Sequence, residues 1–348
     1  MPITIESIRV LEGPNILYPQ GGVAAQLTST NDIREALGQA IKTWAQSVGV
    51  IIGYFRMQLE QGEPHPLSVS FTCNHPAIGG AIVRHAVEDL QAAENHDEDY
   101  SHDNALFDLR RSRMREDPSL PLLQLRAEAQ GRGLPILAVG DGTLQIGSGA
   151  ASWRFDPAGL SLGMAIAPVW ADIHSVPLVA VGGIGATVAA ARIAVSLRER
   201  DSANVALVVD GTFDAIRAAM LDQTAQIIVT ALDLASTLNR GLPFNRCTVG
   251  VVLELDGLCE ELALAGGLPA LVAEQHGAVV LLADDAHSAD LARRTAANVV
   301  QLRAGETSAT PTYPLVASVV AAVQGLLNEG GSGGSPKGYP RPRRPLIF

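Results

Sequence analysis

Apolar and polar positions change rhythm twice along the chain. Up to about residue 150, short alternating stretches are interleaved with stretches of helical spacing. TIESIRVLEG near the N-terminus alternates as a half-buried strand does, and PLSVSFTC (66–73) is strand-like too. STNDIREALGQAIKTWAQS (28–47) opens on the helix-start residues Thr30, Asn31 and Asp32 and continues with apolar residues at helical spacing. AIGGAIVRHAVEDLQAA (77–93) and LPLLQLRAEAQGRG (120–133), the latter with a glycine stop, predict two further helices. NALFDLR predicts a strand, and LPILAV with GTLQIGSG a closing strand pair. Residues 1–150 therefore read as a mixed α+β domain.

After a connector over 151–175 the style changes. PLVAV, VALVVD, QIIVT, TVGVVLEL, AVVLLAD and NVVQL are continuous apolar runs separated by helical segments. Strands apolar on both faces predict a mainly parallel sheet wrapped by helices, so 176–328 reads as an α/β domain. The apolar segment 313–327 is short for a membrane span and contains Gln324, which favours a terminal amphipathic helix. From 329 the chain becomes a Gly/Ser linker. It ends in a Pro/Arg segment with Lys337, Arg341, Arg343 and Arg344, then Leu-Ile-Phe. GGSGGS resembles an engineered linker carrying a tethered peptide or tag; a native recognition tail is the alternative.

Composition narrows the function. A net charge of −11 argues against a general binder of nucleic acid or anionic membrane. Aromatics make up only 4%, so the cores must rest on Ala, Val, Leu and Ile. Cys73, Cys247 and Cys259 are scattered and odd in number, and no signal-peptide pattern opens the chain; both features predict a cytoplasmic setting. The 348 residues contain two lysines, Lys42 and Lys337.

That last count bears on the most suggestive stretch. In VPLVAVGGIGATVAAARIA a buried-type strand meets a glycine turn, Gly182-Gly183-Ile184-Gly185, and then a helix, which is the architecture of a phosphate cradle. A P-loop has Lys before its Ser/Thr; here Ala186 stands before Thr187. Gly182, Gly183, Gly185 and Thr187 are the candidate remnant of a nucleotide loop. The same glycines also permit a tight strand–helix turn with no ligand.

Several stretches, in collinear order, resemble cyanophycin synthetases. IRVLEGPNI resembles their opening, and GAIVRHAVEDLQAA, with His85, Asp89, Leu90 and Gln91, is similar to one of their helices. RGLPILAVGDGTLQIGSGAASWRF, with Leu144, Gln145, Gly147 and Gly149, is similar to the end of their N-terminal domain. VAVGGIGATVAAARIA, RGLPFNRCTVGVVLEL and AVVLLADDAH resemble parts of their Mur-ligase-like ATPase domain. The resemblance implies an N-terminal domain over 1–150 and a Mur-ligase-like P-loop-type domain over 176–328. It also implies that the ATP-grasp domain between them and the C-terminal ligase domain are missing.

The resemblance implies a site residue by residue. Mur-type ligases make an acyl phosphate with MgATP, which needs a lysine charge on the phosphates and oxygen ligands on Mg²⁺. The lysine position is Ala186, the Mg²⁺-binding Glu falls at Ala231, and an expected His falls at Cys259. Asp233, two residues past Ala231, and Arg192 are the groups that could compensate, although a guanidinium reaches differently from an ammonium. Three losses in one direction predict a degenerate ATPase with no catalytic residues and no required cofactor, binding ATP and Mg²⁺ weakly at most.

Other readings stay open. Gly183 and Gly185 with Asp210 at the end of VALVVD suit a dinucleotide site, but Val188 stands at the third glycine position. His96, Asp97, Asp99, His102 and Asp103 offer metal-ligand types without a rigid spacing, and a solvated loop is the plainer reading. Cys73 with His75 and His85 suggests a nucleophile pair lacking an oxyanion element. Asp284-Asp285 suits either a strand-end crevice or a helix cap.

The expectation is a pseudo-ligase: an accessory, peptide-binding or assembly subunit of a peptide-forming ligase system. It would act as a homo- or hetero-oligomer, with the Arg/Pro tail as a candidate tethered ligand. A diverged ATP-dependent amide ligase and a nucleotide- or NAD(P)-binding protein are the alternatives.

Overall fold

The computed structural model describes residues 3–60, 65–97, 100–161, 168–201, 203–303, 316–321 and 325. The chain forms two compact units, one of residues 1–119 with 239–242, the other of 120–238 with 243–348.

The first unit contains strands β1 (Ile3–Leu11) and β2 (Gly22–Ser29), helix α1 (Arg34–Val48), strands β3 (Ile52–Leu59) and β4 (His65–Cys73), and helices α2 (Pro76–Asn95) and α3 (His102–Glu116). Its antiparallel sheet has the order β1-β2-β4-β3. Alternation in β2 and β4 sends Val23, Ala25, Leu27, Leu67, Val69 and Phe71 into one core with Leu37 and Ile41 of α1 and Ile78 and Ile82 of α2. Each Val, Leu, Ile or Phe among them contributes about 1.5–3 kcal/mol by burial.

Three details differ from the pattern reading. The helix expected from residue 28 begins at Arg34, because 28–29 end β2; the Asp32 carboxylate accepts the Arg34 amide at 3.1 Å. NALFDLR is helical. Ser101 caps α3 by accepting from the Asn104 amide, and Ala105, Leu106 and Leu109 turn together into the core. A short apolar run fits strand and helix alike, and here packing decided. Strands β2 and β3 carry weak signals of their own: β2 is rich in small residues, and β3 is broken by a register shift between Gly53 and Arg56, where Tyr54 takes φ 46°.

The second unit begins with α4 (Leu120–Gly131), the short antiparallel strands β5 (Ile136–Ala138), β6 (Leu144–Ile146) and β7 (Trp153–Phe155), and a helical turn α5 (Ala158–Ser161). The expected domain boundary near 150 gives way to one at 119/120. The reason is hydrogen bonding within the unit. The fully buried Gln145 donates to the Met220 carbonyl at 2.9 Å, Arg154 donates to the Leu221 carbonyl, and the Ala150 amide donates to Ala225 at 2.7 Å.

The rest of this unit alternates β8 (Leu178–Gly182), α6 (Ala186–Asp201), β9 (Val205–Val208), α7 (Phe213–Leu221), β10 (Ile227–Ala231), α8 (Leu234–Arg240), β11 (Cys247–Val252), α9 (Glu260–Leu271), β12 (Ala273–Leu282), α10 (Ser288–Arg294) and β13 (Asn298–Leu302). All six expected apolar runs are strands. They form one parallel sheet in the order β13-β12-β11-β8-β10-β9, flanked by helices. Val179 and Val181 face the core of α6, which also takes Val319 and Val320. The next residues along β8 face α9 so closely that a Cβ on Gly182 would lie 2.1 Å from the Gly266 carbonyl oxygen. Residues 316–321 are helical, as expected of the 313–327 segment; the rest of that segment, apart from residue 325, and the tail lie outside the described residues.

In the first unit a polar clamp ties three helices. Trp44 of α1, 1% exposed, donates its indole N–H to Asp89 of α2 at 2.8 Å, and His102 of α3 meets the same carboxylate at 3.0 Å. His85 and His102 both lie against the indole, with ring centroids 5.4 and 4.4 Å away. Burial, with Asp89 and Glu88 beside it, pushes the pKa of the Tyr100 hydroxyl up. Asp89→Ala strands the indole N–H and is expected to cost about 1–3 kcal/mol. Urea unfolding followed by tryptophan fluorescence reads this as an earlier midpoint, and an unshifted midpoint removes the clamp from the account.

Candidate functional site

Ligand crevices of open parallel sheets form at the carboxyl ends of the strands, where successive connections diverge. In this sheet that point is the end of β8: the chain first fills the β10-β9 side, then crosses to β11, β12 and β13. The glycine turn lies there. Gly183 and Gly185 adopt φ 98° and 83°, conformations that favour glycine.

The turn is closed on itself. The Ile184 amide donates to the Glu254 carbonyl at 2.9 Å, while Leu253 donates back to Gly182 at 2.9 Å. Strand β11 therefore runs on, by way of an isolated bridge between Ile184 and Glu254, across the mouth of the loop. The Ala186 amide turns to Gly183 at 3.3 Å, and Val188 and Ala189 both donate to Gly185 at 3.1 Å. A phosphate cradle needs several amides converging on the anion. Here the central one is already bonded.

Charge points the same way. Ala186 is 6% exposed and belongs to the core beneath α6, so the residue at the lysine position faces inward. Thr187 is exposed, and Ile184 and Val188 are apolar and about half exposed. Asp210, Asp233, Glu254, Asp256, Asp284 and Asp285 all follow strands at this edge; among the described residues that follow its strands there, one guanidinium, Arg303 after β13, opposes them in sign. Arg192 is exposed and nearly two turns into α6, about 10 Å along the helix from the glycine turn.

The acids have local duties. One oxygen of Asp233 accepts from the amides of Ala235 and Ser236 at 2.9 and 3.1 Å, which caps α8. Asp210 follows β9, which β10 separates from β8, so it stands two strand spacings, roughly 10 Å, from the glycine turn. A dinucleotide fold in the order 3-2-1-4-5-6 puts its ribose-binding acid on the strand next to the glycine loop. Asp285, with its side chain 4% exposed, accepts from the amides of Leu255 at 2.7 Å, His287 at 2.8 Å and Asp256 at 3.3 Å, and from the His287 ring side at 3.2 Å. Burial pushes its carboxyl up, but the bonds from Leu255, His287 and Asp256 outweigh this and hold it below the ordinary carboxylate range. Asp256, Asp285 and His287 offer ligand atoms within 4.8 Å of one another, the one such group among the described residues. With Asp285 satisfied by backbone amides, the trio reads as a loop anchor. Asp284 is exposed.

The remaining candidates do not converge. Burial pushes the Cys73 thiol up to about 11, which leaves it protonated at neutral pH. His75 turns to Glu116 at 3.1 Å and His85 to Glu88 at 2.7 Å. His96 ends α2 in a left-handed conformation, His102 opens α3 on Asp89, and Asp97 and Asp103 are exposed; Asp99 lies outside the described residues. Cys259 is exposed at the start of α9. The clamp around Trp44 went unseen in the sequence because its members come from three helices.

Fold and site together define an α/β protein: an antiparallel sheet unit, and a six-stranded parallel sheet whose switch-point crevice is closed and acid-rimmed. The chain belongs to the family described as a domain of unknown function (DUF4938), whose profile matches residues 2–286. No curated protein matches the sequence. No helix among the described residues is long and apolar enough to cross a membrane.

Two outcomes test this geometry. Ala186→Lys drives an ammonium into the core under α6; the variant is expected to lose about 1–3 kcal/mol in urea unfolding and to gain no MgATP binding. Nucleotide binding gained by that variant would mean that the cradle opens. Asp285 titrates below its unfolded value near 3.9, so its stabilisation is present above that value and disappears as pH falls through the folded pKa. Asp285→Asn should therefore flatten the acid limb of the stability–pH curve below about pH 4. Parallel acid limbs would show that the anchor contributes nothing.

Proposed function

We propose that this chain is a catalytically degenerate relative of cyanophycin synthetase, an accessory subunit that holds a peptide or a partner ligase in a cytoplasmic peptide-forming system. The observation that carries the reading is the bond from the Ile184 amide to the Glu254 carbonyl at 2.9 Å, at the place where a Mur-type loop receives phosphate. A carboxylate-rich edge around it opposes a triphosphate and suits a cationic ligand. A basic peptide is the matching chemistry, and the chain carries one itself: the tail with Lys337, Arg341, Arg343 and Arg344, tethered through Gly and Ser. Exposed Ile184 and Val188 offer apolar contact beside that edge. The Asp233 cap and the position of Arg192 give no support to a rebuilt ATPase, and the place of β9 gives none to a dinucleotide site.

Calorimetry tests the proposal on the full-length chain and on one ending at Glu329. MgATP at millimolar concentration is expected to give no heat in either. A synthetic peptide of residues 335–348 should bind the shortened chain more tightly than the full-length one, whose own tail competes. Mg²⁺-dependent ATP binding tighter than about 0.1 mM would sink the proposal and put an active amide ligase in its place.

A further inference from the structure

Both edges of the antiparallel sheet carry one register shift. Edge strands expose unpaired backbone groups and are normally blunted by bulges, prolines or charges. On β3 the edge is interrupted by the Gly53–Arg56 shift, and the Tyr18 hydroxyl donates to the Tyr54 carbonyl at 2.8 Å. The β1 edge is nine residues long, has no proline and carries two charges of opposite sign, Glu6 and Arg9. Its own register shift, at Ile5–Ser7, leaves its pairing with β2 running to Leu11.

Beside that edge lies a groove of about 640 Å³ between β1 and α2. Ile3, Ile5, Ile8 and Val87 give it an apolar wall, and Arg84 and Glu88 stand on its helical side. Gln91 closes one end by donating to the Ile3 carbonyl at 2.7 Å. Glu88 keeps one oxygen on His85 at 2.7 Å and stays 42% exposed.

We propose that a second copy of this chain covers the β1 edge, two β1 strands pairing antiparallel about a two-fold axis into one eight-stranded sheet. This deepens the assembly part of the reading above and is independent of what the acidic edge holds. The argument for a second copy is self-complementarity, which an isologous interface requires. Arg84 and Glu88 are one turn apart on α2. Across a two-fold axis at Ala86 the helices run antiparallel, so each Arg84 approaches the Glu88 of the second copy. The half-buried Ile5 and Ile8 of the two grooves then close on each other, which removes their remaining exposed surface from water.

Sedimentation velocity on the full-length chain, over a range of concentrations, tests this. At tens of micromolar the 36.5 kDa chain is expected to run at about twice its mass. Arg84→Glu and Glu88→Arg should each weaken the dimer at least tenfold by setting like charges together, and the double variant should recover it. Hydrogen exchange supplies a second readout that needs no variant: β1 amides not bonded to β2 should gain protection as concentration rises. A chain that is monomeric at such concentrations overturns the proposal. So does a dimer indifferent to both single reversals, one that the double reversal fails to restore, or one whose β1 amides show no concentration-dependent protection.

Discussion

Where β8 gives way to α6, the Ile184 amide meets the Glu254 carbonyl, and the character of the whole sheet edge follows from that contact. It draws the continuation of β11 over the glycine turn and fixes Glu254, Leu255 and Asp256 in a row. Asp285 can then reach the Leu255 and Asp256 amides from the next strand. Three loops are knitted together by backbone bonds and by the Asp285 carboxylate, at the place where a phosphate cradle needs open amides. The glycines permit the turn, and the hydrogen bonds determine that it is closed.

The same corner depends on an unusually close helix. α9 lies so near the sheet that a Cβ at Gly182 would collide with the Gly266 carbonyl, and one at Gly250 would lie 2.3 Å from the Pro269 carbonyl. With 4% aromatic residues, this unit gains density from short side chains and close backbones, not from large rings. Ala186, Ala189, Ala190 and Ala194 do the same work for α6 on the opposite face. A buried small residue at 186 is thus part of how the helix packs.

Electrostatics separates the two units. The parallel sheet ends in a row of carboxylates, of which Asp233 caps a helix and Asp285 anchors loops. In the antiparallel unit, by contrast, carboxylates meet partners of opposite sign or hydrogen-bond donors: Asp89 with Trp44 and His102, Glu12 with Arg240, Asp32 with Arg34. An acidic edge favours cationic partners, and a pattern of paired charges favours a self-matching surface.

The sequence by itself determined the secondary structure wherever burial on both faces left an uninterrupted apolar run. All six parallel strands were legible, as were α2 and α4, because such runs have one stable use in a chain of this size. It also determined that no lysine lies in the chain between Lys42 and Lys337. It did not determine the nature of 104–110, because Ala105, Leu106 and Leu109 form a helical face only against a core supplied by α1 and α2. The boundary at 119 was equally hidden, since the partners of Gln145 and Ala150 lie at Met220 and Ala225, some 75 residues on. Strand order, which separates Asp210 from β8, and the bond that closes the turn were decided only by the tertiary structure. Local pattern records which side chains avoid water, whereas pairing between distant strands is settled by how the buried faces and the backbone hydrogen bonds are satisfied together.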